Sequence, residues 1–191
     1  MTTSTAKRRH VESDRLAALD AHAILDTPAE RSFDDLAELA ASICQVPVSA
    51  VTFVARDRQW HKAKVGIEIA GLPREVGFCS HTIGQDDLLE IGDLRADPRF
   101  AENPLVVGAP GARFYAGATL HSDAGYKLGA LCVLDTVPRE LTDEQRRALR
   151  VLARQAEVLL ELRLRVHELE RAQATKAQVL DYLVHDLKTP R

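Results

Sequence analysis

Two residues near the middle of the chain, Cys79 and His81, are of types that could do chemistry together. A histidine beside a cysteine can lower the pKa of the thiol, which gives a thiolate nucleophile or half of a metal site. The surrounding residues 78–83 predict a short helix, on which side chains two positions apart do not face each other. We therefore expect Cys79 to be a small buried side chain and His81 a polar residue of a pocket or of the surface.

Four aromatic residues are candidates for lining a ligand pocket: Trp60, Phe78, Phe114 and Tyr115. Trp60 and Tyr115 each carry a polar group that could orient a ligand. For each residue taken alone, ordinary core packing is the preferred interpretation. Together with Cys79 and His81 they form the set of candidate pocket residues.

Composition limits the function classes. The 191 residues have a formal net charge of -3, which argues against a nucleic-acid binder. Three cysteines without a C-x-x-C spacing predict no disulfide framework and no metal site, and fit a reducing cytoplasm. No apolar run approaches the ~18 residues of a membrane span, and no signal peptide is recognisable. We expect a cytoplasmic chain without a membrane segment.

The pattern of apolar residues predicts the elements that must position these side chains. Helices are expected over residues 11–25 and from Pro28, with Thr27 as N-cap, to about Cys44, the second with a buried stripe of Phe33, Leu36, Leu39, Ala40 and Ile43. Strands are expected over 48–55, 59–65, 88–91, 114–120 and 127–134. Thr142 and Gln145 form a capping box that begins a long final helix. This order predicts an α+β domain with a central antiparallel sheet and flanking helices.

Six segments in this order resemble blocks of the GAF domains of bacterial signalling proteins: residues 24–28, 57–60, 73–81, 97–106, 113–117 and 128–135. The resemblance covers roughly residues 16–160. It implies a sheet of about six strands, with a ligand-sized pocket on one face and the terminal helices on the other. It does not identify the ligand, because the signature of the cyclic-nucleotide members and the chromophore motifs of the bilin-binding members are absent.

Some GAF proteins reduce free methionine sulfoxide with a nucleophilic and a resolving cysteine. Cys79 and Cys132 could meet across the implied pocket and serve these roles. Cys132 lies in an apolar strand, which favours burial and low reactivity. This reductase, and a GAF module that dimerises without a ligand, are the alternatives to the interpretation that follows.

The last helix carries a heptad pattern. The a positions are Leu152, Leu159, Val166, Gln173 and Leu180, and the d positions are Gln155, Leu162, Leu169, Lys176 and Leu183. An apolar seam of this kind predicts a parallel two-stranded coiled coil and hence a homodimer. The polar residues Gln173 and Lys176 interrupt the seam and would permit two registers.

Residues 185–190, His-Asp-Leu-Lys-Thr-Pro, resemble the H-box of the phosphoacceptor domain of sensor histidine kinases. The resemblance implies that His185 accepts a phosphoryl group, with Asp186 as its general base and orienting residue. It also implies that Thr189 positions water in the reverse, phosphatase reaction. The heptad frame places His185 at position f, the outermost position of the coil.

These expectations combine into one interpretation. Residues 1–10 form a disordered tail, residues 11–141 a GAF sensor domain, and residues 142–191 a signalling helix that runs into a truncated phosphoacceptor helix. The chain is then the input module of a two-component histidine kinase, with a response regulator as partner of the full-length protein. It contains no evident cofactor site, since ATP and Mg²⁺ belong to a kinase domain that this chain lacks. By itself it would not be a competent kinase.

Overall fold

The computed structural model describes the backbone of residues 2–188 and the side chains of residues 11–180. The strands are β1 (Val48–Val54), β2 (Arg58–Val65), β3 (Gly71–Pro73), β4 (Leu88–Ile91), β5 (Phe114–His121) and β6 (Lys127–Asp135). The helices are α1 (Thr2–Ala21), α2 (Arg31–Cys44), α3 (Cys79–Thr82), α4 (Pro104–Val107) and α5 (Asp143–Lys188). The strands form one antiparallel sheet in the order β3-β2-β1-β6-β5-β4. This confirms the predicted α+β class.

Strand β3 is the element that the apolar pattern does not indicate. It has only three residues and pairs with β2 at the edge of the sheet, with Pro73 opposite Arg58. A proline has no N–H group to donate and is therefore tolerated at an edge. A strand this short is too brief to show the period of two on which the prediction depends.

The first two helices differ from their predicted bounds. Helix α1 begins before Val11, within the segment predicted to be a disordered tail, and ends at Ala21. Helix α2 begins at Arg31, and Glu30 occupies its N-cap position. The prediction that Thr27 caps this helix is wrong, because its hydroxyl donates a hydrogen bond to the carbonyl of Ile24 at 2.6 Å.

The buried stripe of α2 is also displaced from its predicted position. Phe33, Leu36 and Ala40 are buried as predicted, but Leu39 and Ile43 are 49% and 41% exposed. The stripe is completed instead by Ala37, Ala41 and Cys44. Small residues let α2 lie close to the sheet, and the two larger apolar side chains are left facing outward.

Strand alternation sends side chains to both faces of the sheet, and both faces are covered. On one face Val51 of β1 packs with Phe33 of α2 and Leu149 of α5 in the larger core. On the other face Ala50 packs with Phe78 beside α3 in a smaller core. The larger core joins the sheet to the long helices, and the smaller one contains the candidate site.

Helix α5 begins at the predicted capping box. The Thr142 N–H donates to Gln145 Oε1 at 3.0 Å, and the Gln145 N–H donates to Thr142 Oγ1 at 3.2 Å. Over the next five turns the helix buries one side against the sheet, with Leu149, Leu152 and Leu160 in the larger core.

The first a positions of the predicted heptad belong to the chain's own core. Leu152 is buried and Leu159 packs against the larger core, so neither is available to a partner helix. From Leu162 onward the apolar positions are exposed, including Val166 (46%) and Leu169 (63%). Across residues 2–188, none of the helices combines the length and apolar character required of a membrane span.

Candidate functional site

A cavity lies on the face of the sheet opposite the long helices. Its volume is about 140 Å³, and it is bounded by strands β1, β2, β3, β5 and β6, by the loop between β2 and β3, by α3 and α4, and by the loop after α4. Its lining is mainly apolar: Val48, Ala50, Gln59, His61, Gly66, Ile67, Ile69, Leu72, Phe78, Cys79, Leu105, Pro110, Ala112, Tyr115, Cys132, Leu134, Asp135 and Thr136.

The size of the cavity restricts what it can hold. Engineered apolar cavities of about 150 Å³ stay dry and bind benzene or xenon, whereas pockets for drug-sized ligands enclose roughly 300–1,000 Å³. The cavity of about 140 Å³ therefore matches a molecule the size of benzene. A nucleotide or a tetrapyrrole would require the walls to move.

His61 is the most unusual residue of this lining. Gln59 and His61 lie on the same side of β2 and both reach the cavity, whereas the intervening Trp60 belongs to the larger core. The pairing of β1 with β2 shifts register between Val51 and Thr52, so that Thr52 lies opposite His61 and Lys62 is the extra residue. This bulge keeps His61 beside Thr52 on the cavity side.

The imidazole of His61 is only partly satisfied. Its Nδ1 lies 2.8 Å from Thr52 Oγ1, and its buried Nε2 makes no hydrogen bond within the described residues. Burial, followed by the charge of Lys64, lowers the pKa of His61 to about 4. The ring is therefore neutral at pH 7. A buried polar atom without a partner is costly, which makes Nε2 the natural contact for a polar group of a bound molecule.

Three side chains with reactive or polar groups meet at the floor of the cavity. Cys79 Sγ and Cys132 Sγ are 3.7 Å apart, and the Tyr115 hydroxyl donates to Cys79 Sγ at 3.5 Å. The contact with Cys132, followed by those with Tyr115 and Thr52, lowers the pKa of the Cys79 thiol, although burial opposes this shift. The same contact with Cys79, together with burial, raises the pKa of Cys132 well above its usual range. Of the two sulfurs, Cys79 is the one that accepts the hydrogen bond of the Tyr115 hydroxyl.

A side-chain network holds α3 against β2. The Gln59 amide donates to Ser80 Oγ at 2.7 Å and to the carbonyl of Arg74 at 3.1 Å. Ser80 Oγ donates to the same carbonyl at 2.6 Å. Gly77 lets the chain pass close by, because a Cβ there would lie 2.3 Å from the Gln59 amide. This packing accounts for Gly77 and Ser80 in the segment 73–81.

The structure brings together half of the predicted pocket residues. Phe78, Cys79 and Tyr115 line the cavity, but Trp60 and Phe114 face the larger core on the opposite side of the sheet. His81 stacks edge-on against Phe100, with ring centroids 4.6 Å apart, and is not part of the lining. Trp60 and Phe114 each precede a lining residue, His61 and Tyr115 respectively. Because adjacent residues of a strand face opposite sides, choosing the aromatic residue at these two places gave the face away from the cavity.

Sequence reasoning missed Gln59, His61 and Thr52. Period-two alternation would have grouped Gln59 with His61 and separated both from Trp60. Because both faces of β2 are covered, alternation alone does not say which group faces the cavity. The partner of Thr52 depends on a bulge, which no local residue pattern indicates.

His185, Asp186 and Thr189 lie outside the residues whose side chains the structure describes. Their assigned roles therefore stay predictions. Among the described residues there is no group of three metal-ligating side chains close enough to hold an ion.

The fold and the cavity define a single-sheet α+β domain with its terminal helices on one face and a small apolar cavity on the other. The sequence matches the GAF domain family over residues 28–160. The chain therefore belongs to the GAF domain family.

A longer protein is similar to this chain in sequence. The chain is 38% identical over 128 residues to the cyclic di-GMP phosphodiesterase PA2567 of Pseudomonas aeruginosa. The match covers 67% of this chain but only 22% of that protein. This similarity therefore does not assign the activity of the whole relative to this chain.

Solved structures show the same fold at low sequence identity. The bacteriophytochrome RpBphP3 of R. palustris matches with a TM-score of 0.62 at 15% identity, covering 100% of this chain and 44% of that one. The free methionine-R-sulfoxide reductase of Neisseria meningitidis matches with a TM-score of 0.59 at 15% identity, covering 87% and 95%. At these identities the likeness concerns the fold alone.

Proposed function

We propose that this chain is the sensory input part of a two-component histidine kinase. A signal received by the GAF domain passes along a dimeric α5 to the phosphoacceptor His185. The observation that carries the proposal is the course of α5, which covers the sheet and then continues without a break, with exposed apolar side chains. A helix whose only role was to cover its own sheet would not need this continuation.

Strand β5 supports the first step, because it contacts both the cavity and α5. Tyr115 lines the cavity, and the preceding Phe114 packs in the core beneath the long helices. At the end of the strand, the His121 N–H donates to Glu157 of α5 at 2.7 Å, and His121 Nδ1 lies 2.9 Å from the same oxygen. A displacement of β5 at the cavity would be passed to α5 through these contacts.

Exposed apolar residues support the homodimer. On α5 they are Val151, Val158, Leu162, Val166, Leu169, Val179 and Leu180, and on α2 they are Leu39 and Ile43. The coil proper would begin at Leu162, where the helix leaves the sheet, and follow the predicted d and a positions from there. The dimer contact would extend along the GAF domain of each chain through Val151 and Val158 of α5 and through Leu39 and Ile43 of α2.

The phosphoacceptor step rests on the resemblance of residues 185–190 to an H-box. In the frame that begins at Leu162, His185 remains at position f and would face outward from a parallel pair. Asp186 would orient its imidazole, and Thr189 would place water for the phosphatase reaction. ATP and Mg²⁺ would be bound by the kinase domain, and a response regulator would receive the phosphoryl group.

The phosphoacceptor is tested by joining the chain to a second hairpin helix and an ATP-binding domain, then supplying labelled ATP and Mg²⁺. We expect acid-labile label on the native chain and none on His185→Gln. His167→Gln is the matched control, because His167 is another exposed histidine of α5 and its loss should leave labelling unchanged. Label that persists in His185→Gln would refute the assignment.

A second candidate function is free methionine sulfoxide reduction. The observation in its favour is the 3.7 Å separation of Cys79 Sγ and Cys132 Sγ beside the cavity. NADPH consumption coupled through thioredoxin to methionine-R-sulfoxide would reveal this activity, and Cys79→Ser should abolish it. A native chain that consumes no NADPH would eliminate this candidate.

A further inference from the structure

Two of the three cysteines are in direct contact. Cys79 is the first residue of α3 and Cys132 lies in the middle of β6, and their sulfurs are 3.7 Å apart without a bond between them. Both are buried on the cavity face. Cys44 lies in the larger core on the other side of the sheet. The chain thus contains one thiol pair and one isolated thiol.

The pair requires only a small movement to form a disulfide. A disulfide has an S–S length of about 2.05 Å, so the sulfurs would have to approach by about 1.7 Å. Helix α3 is a single turn, which is easier to displace than a strand in the middle of a sheet. Gly117 lies opposite Cys132 on β5 and adds no side chain to this crowded floor.

The surroundings of the pair favour reaction at Cys79. Its sulfur accepts a hydrogen bond from the Tyr115 hydroxyl at 3.5 Å, and its neighbours Cys132, Tyr115 and Thr52 lower the pKa of the thiol, which favours a thiolate. Thr52 is in turn held by His61 Nδ1 at 2.8 Å. Burial raises the pKa of Cys44 to about 11, so that thiol is expected to be inert.

The cavity gives a small molecule access to both sulfurs, since Cys79 and Cys132 each form part of its lining. Its volume of about 140 Å³ is ample for hydrogen peroxide. The apolar walls would exclude larger charged thiols such as glutathione, which favours reaction within the pair over a mixed disulfide.

We propose that Cys79 and Cys132 form a reversible intrachain disulfide when the protein meets a small hydroperoxide. The Cys79 thiolate attacks the terminal peroxide oxygen, an S–O bond forms, the O–O bond breaks, and the leaving oxygen takes up a proton. The Cys132 sulfur then attacks the Cys79 sulfur, the S–S bond forms, the S–O bond breaks, and the proton of the Cys132 thiol passes to the leaving hydroxide, which departs as water. In total, two thiols and one hydroperoxide give a disulfide, an alcohol or water, and one further water.

The new bond would tie α3 to β6 and fix one wall of the cavity. This site goes beyond the proposed sensory function, because it would add sensitivity to oxidants whether or not the chain acts on a kinase. It also differs from the reductase, in which a sulfoxide would be consumed catalytically.

The test uses the native chain, treated with hydrogen peroxide at a small molar excess and then unfolded in an alkylating agent. We expect the alkylated thiols to fall from three to one, the mass to decrease by two hydrogen atoms before alkylation, and dithiothreitol to restore three thiols. Peptide mapping should join residues 79 and 132.

Variants provide the matched controls. Cys44→Ser should still form the disulfide, whereas Cys79→Ser and Cys132→Ser should each retain their remaining thiols or oxidise them without an intrachain bond. Peptide mapping of the native chain does not depend on the variants. It therefore still tests the proposal if one variant fails to fold. Three thiols persisting in the native chain, or a disulfide that includes Cys44, would overturn the proposal.

Discussion

At the scale of single residues, the chemistry of the domain is concentrated on the cavity side of the sheet. His61 presents a neutral imidazole with a buried Nε2 that makes no hydrogen bond within the described residues. Thr52 contacts this ring at Nδ1 and also contributes to the lowered pKa of Cys79. His61 and the two thiols are among the few polar groups of a mainly apolar lining, and such groups determine which small molecules a cavity favours.

We predict that phenol binds the native cavity more tightly than benzene. The two rings fill similar volumes, but only phenol carries a hydroxyl that can pair with His61 Nε2, and a neutral hydrogen bond contributes about 1 kcal/mol. That corresponds to roughly fivefold in affinity. Titration monitored by NMR should show this preference, and His61→Leu should remove it. Equal affinities in the native chain would contradict this role of His61.

The stability of the domain should fall between pH 7 and pH 5 because of His61. Its pKa is about 4 in the folded chain, against 6.5 as the ordinary value, so the unfolded chain binds more protons in this range. Protonation therefore favours unfolding, by about 2 kcal/mol at pH 5. Chemical denaturation should show a smaller decrease for His61→Gln, which does not titrate. The Glu12 carboxyl, whose pKa is about 2, loses its stabilising effect only below about pH 4.5.

At the scale of elements, side-chain contacts define both ends of the packed half of α5. The capping box at Thr142 fixes where it begins. Near the point where it leaves the sheet, Arg163 pairs with Glu30 at 2.9 Å, and Glu30 also pairs with the buried Lys62 at 2.7 Å. This ion cluster joins α5 to β2 and to the segment before α2.

Removing the cap should weaken the start of α5. Thr142→Ala leaves the Gln145 N–H without its side-chain acceptor and should cost about 1 kcal/mol. Thr175→Ala is the control on the same helix, because in the described part of the chain the Thr175 hydroxyl bonds only to the carbonyl of Arg171 on an exposed turn. Equal effects of the two substitutions on thermal unfolding would show that the capping box is not specifically stabilising.

Breaking the ion cluster should have a larger effect. Glu30→Gln leaves the Lys62 ammonium, whose side chain is 0% exposed, with only neutral partners and should cost about 3 kcal/mol. Adding Lys62→Met removes the unpaired charge and should restore most of the loss. A double variant that is less stable than Glu30→Gln would contradict this explanation in a urea denaturation series.

The elements also show where prediction from sequence succeeds. Strand β4 begins and ends at the predicted residues, and the capping box at Thr142 is formed as predicted. Both features depend on residues that are close together in sequence. The cavity lining is different. The aromatic signal selected Trp60, and only the tertiary arrangement shows that its neighbours Gln59 and His61 face the cavity. The heptad pattern of α5 likewise could not show which of its a positions would be buried in the core of the same chain.

At the scale of the whole molecule, one sheet separates a cavity from a long helix. Tyr115 and Phe114 are adjacent on β5 and face opposite sides, so that neighbouring residues contact the cavity and the core beneath the long helices. The fold class followed from the order of elements, whereas the parallel dimer depends on a second chain. Residues 162–180 carry the exposed seam on which that dimer would form.

The most direct test of the output pathway is cysteine cross-linking along α5. In a parallel pair, a d position such as Leu169 meets its own copy, at a separation compatible with a disulfide. Arg171 lies at position f and points away from the partner. Mild oxidation, followed by a non-reducing gel, is performed on the native chain, Leu169→Cys and Arg171→Cys. We expect a covalent dimer for Leu169→Cys alone. Monomeric Leu169→Cys, or equal cross-linking of the two variants, would contradict a parallel signalling coil.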